Sequence, residues 1–326
     1  MTELRLWLQQ NYGPLVALGL FVLIFSVYIG NHPAGLTVGV ATTAANKGVL
    51  LALVGMAQTL PVLTGGLDLS VGMIFVMCNC IASAIVTGTP WQVAGGVAAT
   101  LLAGLLCGIL NGAIIVYGRL QPIITTLATG AIYYGIALWI RPVPGGEVDE
   151  TLADALTNQV FGVIPTTLVL LLGVVLFIWL PFRASVLGRG AYAAGSAEAA
   201  AYMSGVNIDR SKLAAYTLCG LLASIAALLL TFVTDSGEAS APGGSIYTLN
   251  SIAVVVIGGT SLLGGVGGAI GSIFGAFVLR TIGDLLFVFD LPPLWQPLIQ
   301  GAILLAALSL GAARVFRIRN RLELFG

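Results

Sequence analysis

Two apolar runs, 47–63 and 71–86, are separated by Thr64-Gly65-Gly66-Leu67-Asp68-Leu69-Ser70-Val71-Gly72, so a carboxylate and paired glycines fall between segments that each read as a membrane helix. An acid in hydrocarbon costs several kcal/mol unless it meets water or a partner. Irregular backbone near membrane depth persists only where protein buries it or where it lines a wet cavity. The stretch is therefore a hinge or a pathway element. Its candidate residues are Thr64, Gly65, Gly66, Asp68, Ser70 and Gly72, with Gln58 on the run before it.

The rest of the chain is equally apolar: of 326 residues, 58% are hydrophobic and 8% charged, against about a quarter charged in soluble domains. This is an all-α, polytopic membrane protein. No polar segment is long enough to fold separately, so residues 1–326 read as one transmembrane domain. Thirteen basic residues balance 13 acidic ones, and His32 is the single histidine, which excludes a strongly basic nucleic-acid surface and a histidine metal site. Cys78, Cys80, Cys107 and Cys219 lie inside apolar runs and read as small core residues. No metal and no cofactor is expected.

Cutting at glycine, proline and charge gives about ten spans of roughly 20 residues: 12–30, 43–63, 70–87, 91–117, 122–140, 165–182, 213–233, 247–262, 267–288 and 294–312. The first is expected to be a retained span, since no small-residue cleavage site follows it. With both termini cytoplasmic, the inner segments hold Arg5, Arg119, Arg183, Arg189, Arg210, Lys212, Arg314, Arg317, Arg319 and Arg321, while the outer side holds Lys47 and Arg141. That asymmetry sets the orientation. The outer loops, 141–164 and 234–246, carry Glu147, Asp149, Glu150, Asp154, Asp235 and Glu238. These acids either keep short loops wet or form a docking lip for a basic soluble partner.

The largest inner segment, 183–212, contains a helix-forming, small-residue stretch with Ser196 as a plausible N-cap and Gly205 as a stop. It reads as a surface for a cytoplasmic partner, with Tyr202 and Met203 as anchors. Gly258 to Gly268 again sets glycine pairs between apolar runs and resembles a distant internal repeat of the first break. Arg280 and Asp284, one helical turn apart, read as an intramembrane ion pair in preference to a substrate site.

The stretch from Gly55 through Gln58 and Thr64 to Gly72 resembles the glycine-glycine-(Ile or Leu)-Asp-Leu-Ser-Val-Gly signature of the membrane permease subunits of bacterial ABC sugar importers of the ribose, xylose and galactofuranose type. A second similarity, from Ala194-Gly195-Ser196 through Ala200-Ala201 to Ser204-Gly205-Val206, is to the family's segment that rests on the ATPase subunits, although Ala197 and Tyr202 depart from the common pattern. The resemblance implies an inner-membrane subunit with no catalysis of its own. Its partners would be cytoplasmic ATP-binding subunits, a second identical or paralogous permease, and a periplasmic sugar-binding protein delivering a pentose or hexose. Gly190, Ala194, Gly195, Ser196, Glu198, Ala200, Ala201, Tyr202, Ser204 and Gly205 would then couple to the ATPase. In agreement, neither lysine, Lys47 or Lys212, sits in a P-loop pattern.

Rival readings are an ABC permease for branched-chain amino acids or another small polar solute, an ion-coupled secondary transporter, and a scaffold without transport. Few polar side chains in the spans, among them Gln58, Asn79 and Asn111, are able to ring a polyol. Selectivity is therefore expected in the soluble partner, not in a tight membrane site.

Overall fold

The computed structural model describes residues 12–239, 243–292 and 294–302, together with 305 and 309. Both termini, with Arg5 and the basic residues from Arg314 on, lie outside these, as does part of the expected span 294–312. Among the described residues the chain is almost wholly helical: α1 (Tyr12–Asn31), α2 (Val38–Leu63), α3 (Val71–Ile85), α4 (Pro90–Tyr117), α5 (Pro122–Ile140), α6 (Glu150–Thr157), α7 (Thr166–Val174), α8 (Leu180–Ala184), α9 (Val186–Met203), α10 (Ile208–Thr234), α11 (Gly243–Ile257) and α12 (Ala269–Val288). A π turn, Val175–Trp179, joins α7 to α8. Pro181 lacks the N–H that would close the turn behind it, which accounts for the widened winding there.

Among the described residues, seven segments are long and apolar enough to cross a membrane: α1, α2, α4, α5, the run from α7 through α8, α10 and α12. The expected spans 70–87 and 247–262 are instead the 15-residue helices α3 and α11, about 22 Å long at 1.5 Å per residue and shorter than a bilayer core. Each adjoins a glycine break that takes residues out of the helix.

The core is built on α2, which is buried almost continuously from Gly48 to Leu63. It packs against α10, α12 and α11, while α1 lies on α12. A face of Gly104, Gly108 and Gly112 on α4 meets the α10 backbone, where a Cβ at Gly108 would run into Tyr216 O and Thr217. Small residues let two membrane helices approach this closely.

The connection 141–164 is more ordered than a wet loop. Asp149 Oδ1 accepts the Leu152 N–H at 2.8 Å and caps α6, and a small antiparallel pair follows, β1 (Gln159–Val160) with β2 (Ile164–Pro165). Gly145 and Gly237 pair across this connection and the one that follows α10. Asn79 holds the second loop in place: its Nδ2 donates to Thr231 Oγ1 (2.8 Å) and Ser236 O (3.1 Å), and its Oδ1 accepts the Glu238 N–H (3.2 Å).

Lys47, within the span expected over 43–63, lies in α2 and pairs with Asp284. One sequence expectation is corrected here: Ser196 does not cap a separate short helix; its hydroxyl donates back to Tyr192 O at 2.9 Å, and the residue that leaves helical geometry is Ala197 (φ −161°, ψ 92°), a kink inside α9. The 258–268 stretch lies against the first break, as described next. Gly205 does end α9, at φ +77°.

Candidate functional site

The break begins where Pro61 O, at the end of α2, accepts the N–H groups of Thr64 (2.9 Å) and Gly66 (3.1 Å) and the Thr64 hydroxyl (2.7 Å). Gly65 then takes φ +79°, a conformation that costs a Cβ-bearing residue roughly 1 kcal/mol or more. The chain turns inward and Asp68 is completely buried.

Every contact to Asp68 is a donor. Oδ1 accepts the Ser70 N–H (2.9 Å) and the Ser70 hydroxyl (2.6 Å), and Oδ2 receives Asn111 Nδ2 (3.4 Å) and the Cys219 thiol (3.6 Å). Asn111 Nδ2 also donates to Ser70 Oγ at 2.8 Å, and its Oδ1 accepts the Tyr133 hydroxyl at 3.0 Å. The polarity thus runs one way, from Tyr133 on α5 through Asn111 on α4 and Ser70 to the carboxylate, with α10 closing the ring at Cys219. An acceptor-only arrangement of this kind holds an ionised carboxylate without a cation. Among the described residues no Lys, Arg or His pairs with it.

Two further bonds fix the exit into α3. Thr126 Oγ1 accepts the Leu69 N–H (2.9 Å), and Thr248 Oγ1 accepts the Gly72 N–H (3.1 Å). Gly72 lies flat against Gly244 O, leaving no space for a side chain. The break is therefore pinned from α4, α5, α10 and α11 together.

On its other side the break meets α9 and the 258–268 stretch. The Gly265 N–H donates to Leu63 O at 3.1 Å. A Cβ at Gly195 would collide with Leu63 O and Gly265 N, and one at Gly264 would lie 2.7 Å from Gly65 N and 2.8 Å from Gly195 Cα. The Tyr192 hydroxyl donates to Gly267 O at 2.8 Å, and burial raises the Tyr192 phenol above its ordinary range, keeping it a donor. Three glycine-rich stretches distant in sequence thus meet backbone to backbone at the end of α2.

The other candidate residues separate into groups. Gly190 and Ala194 are buried against the bundle and Gly195 is half-buried: a Cβ at Gly190 would strike the Ser211 hydroxyl. Beyond the kink, Glu198 pairs with Lys212 at 2.7 Å, Ala201 is buried against Ile208, and Ala200 O accepts the Ser204 hydroxyl. Tyr202 (75% exposed) and Met203 (82%) point outward. Gln58 is fully buried, and neither Nε2 nor Oε1 has a partner among the described residues. Arg280 Nη2 lies 2.9 Å from Asp284 Oδ1, which Lys47 Nζ also reaches at 3.4 Å. The sequence reading missed Lys47 as a member of this cluster, and missed Asn111, Tyr133 and Cys219 as the shell of Asp68. For Asn111, its position in the glycine-spaced face of α4 is the signal that was there to find.

The family model described as the permease component of the branched-chain amino acid transport system matches residues 40–308. The chain belongs to this permease family. It is 32% identical to the ribose import permease of Escherichia coli K12 over 93% of the chain and 94% of that protein. It is 33% identical to the autoinducer 2 import permease of Enterobacter sp. strain 638 (88% and 83%) and 30% identical to the fructose import permease of Rhizobium meliloti (91% and 84%). No solved structure matches it at a significant level. The permease is a transport subunit of the bacterial inner membrane and not an enzyme.

Proposed function

We propose that the permease imports a monosaccharide, pentose or hexose, as the transmembrane subunit of an ATP-driven importer. One observation carries this reading: α9 is seated by backbone contact on the end of α2 that leads to Asp68. A displacement of the inner segment by an ATPase would reach the buried break directly. The exposed Tyr202 and Met203 supply the contact with that ATPase, and Gly190, Ala194, Gly195, Ser196, Glu198, Ala200, Ala201, Ser204 and Gly205 form its seat. The joined outer loops, with their acids, receive a sugar-binding protein. A second permease, identical or paralogous, completes the pathway, in one domain of about ten spans with both termini cytoplasmic. Relatives that import ribose and fructose support the substrate class.

The test is reconstitution of the full permease with ATP-binding subunits and a binding protein encoded beside it, in liposomes, with labelled ribose, fructose and leucine. ATP-dependent uptake of a sugar is expected. The family model's description favours a second reading, import of a branched-chain amino acid, and uptake of leucine alone would establish it. Uptake by the permease without ATPase would point instead to an ion-coupled carrier.

The interior also supports weak binding by the membrane part. Asn79 and Asn111 are committed to protein partners, and Gln58, whose amide has no partner among the described residues, is closed to solvent. Calorimetric titration of the purified permease with ribose, xylose or fructose should therefore show no micromolar binding, since a deep well in a pathway slows release. Saturable micromolar binding that Gln58→Ala abolishes would place the selectivity inside the membrane.

A further inference from the structure

Where α1 ends, α2 begins and α12 ends, Tyr28, His32, Thr43, Lys47, Asp284 and Asp290 line a cavity of about 520 Å³. Its charges are arranged unevenly. Asp284 Oδ1 is already taken by Arg280 Nη2 at 2.9 Å, so Lys47 Nζ, at 3.4 Å and with its side chain 42% exposed, retains N–H groups directed elsewhere. The His32 ring lies against Tyr28, 5.3 Å between centroids, and its Nδ1 accepts the Ala34 N–H at 3.2 Å. A neutral ring so bonded carries its proton on Nε2, a second donor. Lys47 and Arg280 together exceed the one carboxylate between them, and Asp290 brings the balance to zero.

We infer that this cavity binds a zwitterionic phosphoethanolamine headgroup, its phosphodiester held by Lys47 and His32 and its ammonium by Asp290. Two donors with a net positive charge around them suit a phosphodiester. The added carboxylate suits a primary ammonium and disfavours a headgroup that is anionic overall. The volume lies in the range of small-ligand sites. The surroundings favour a lipid over a free solute: α1 leaves Leu20, Leu23 and Val27 exposed, an apolar face that meets acyl chains in a membrane, and the end of that same helix lines the cavity with Tyr28, followed by His32. The inference needs the chain to lie in a bilayer and is independent of what it transports.

The full-length permease would be purified into detergent with equimolar phosphatidylethanolamine, phosphatidylglycerol and phosphatidylcholine, and its retained lipid read by native mass spectrometry. Wild type should keep phosphatidylethanolamine over either competitor by roughly tenfold, the difference one charge-assisted hydrogen bond makes. His32→Phe, which preserves the ring packing on Tyr28, and Lys47→Gln should each reduce that retention several-fold. Displacement of the lipid by millimolar glycerophosphoethanolamine would show the same chemistry drawn from a soluble source. Equal retention of all three lipids, or unchanged retention in a folded His32→Phe permease, would overturn the inference.

Discussion

Asp68→Asn is expected to reduce transport at least about tenfold for every solute the complex carries, while the protein still inserts in the membrane. All four contacts to the Asp68 carboxylate are donors, so an amide placed there must turn its NH2 toward either the Ser70 groups or the Asn111 and Cys219 groups. One face of the site is then donor against donor. A lost hydrogen bond to a charged group is worth on the order of 1.5–3 kcal/mol, and leaving a buried donor unpaired adds to that. The effect should fall on coupling, not on recognition, because Asp68 faces Ser70, Asn111 and Cys219 and is closed to solvent. Uptake and ATP hydrolysis in the reconstituted complex, measured for two different solutes, check this. Loss of one solute with the other unaffected would make Asp68 a recognition residue.

Much of the architecture was legible because membrane helices announce themselves by length and apolarity, and the starts of α4 and α5 follow proline and capping signals. Pro90 and Pro122 open α4 and α5, and Gln92 completes a capping box with Thr89. The end of α11 was overrun by five residues and its start placed four residues late, since hydropathy does not register where a glycine-rich stretch leaves the helix, whereas α3 differs from its expected span by one or two residues at each end. The Asp68 break was legible for a different reason: a carboxylate and paired glycines between two apolar runs violate the rules that govern everything around them. What periodicity could not give was the tertiary partnership. Nothing local in Gly264 or Gly195 says that each will lie on Gly65. The pairing of Lys47 was missed on the same account, because its partner Asp284 is 237 residues away.

That contact sets the second large effect. Gly195→Trp should abolish ATP-driven transport, because the added side chain has no direction in which to grow: its first carbon already meets Leu63 O and Gly265 N, with Gly264 Cα 3.0 Å away. Backbone atoms on three sides cannot swing aside as a flexible side chain would. Overpacking of this severity costs about 1–3 kcal/mol or more where neighbours yield, and here yielding means lifting α9 off the end of α2. The damage should therefore be local. The variant is expected to insert normally and to keep the contacts around Asp68, yet to lose ATPase subunits on co-purification or to hydrolyse ATP without uptake. Ala200→Trp offers the comparison: it lies beyond the Ala197 kink, away from the glycine junction, so it should disturb the ATPase seat while leaving the α9–α2 contact intact. Hydrogen exchange of the Gly265 amide, which donates to Leu63 O, distinguishes the two, since its protection should persist in Ala200→Trp and fall in Gly195→Trp. Full assembly and coupled uptake in Gly195→Trp would remove α9 from the path between ATP hydrolysis and the Asp68 break.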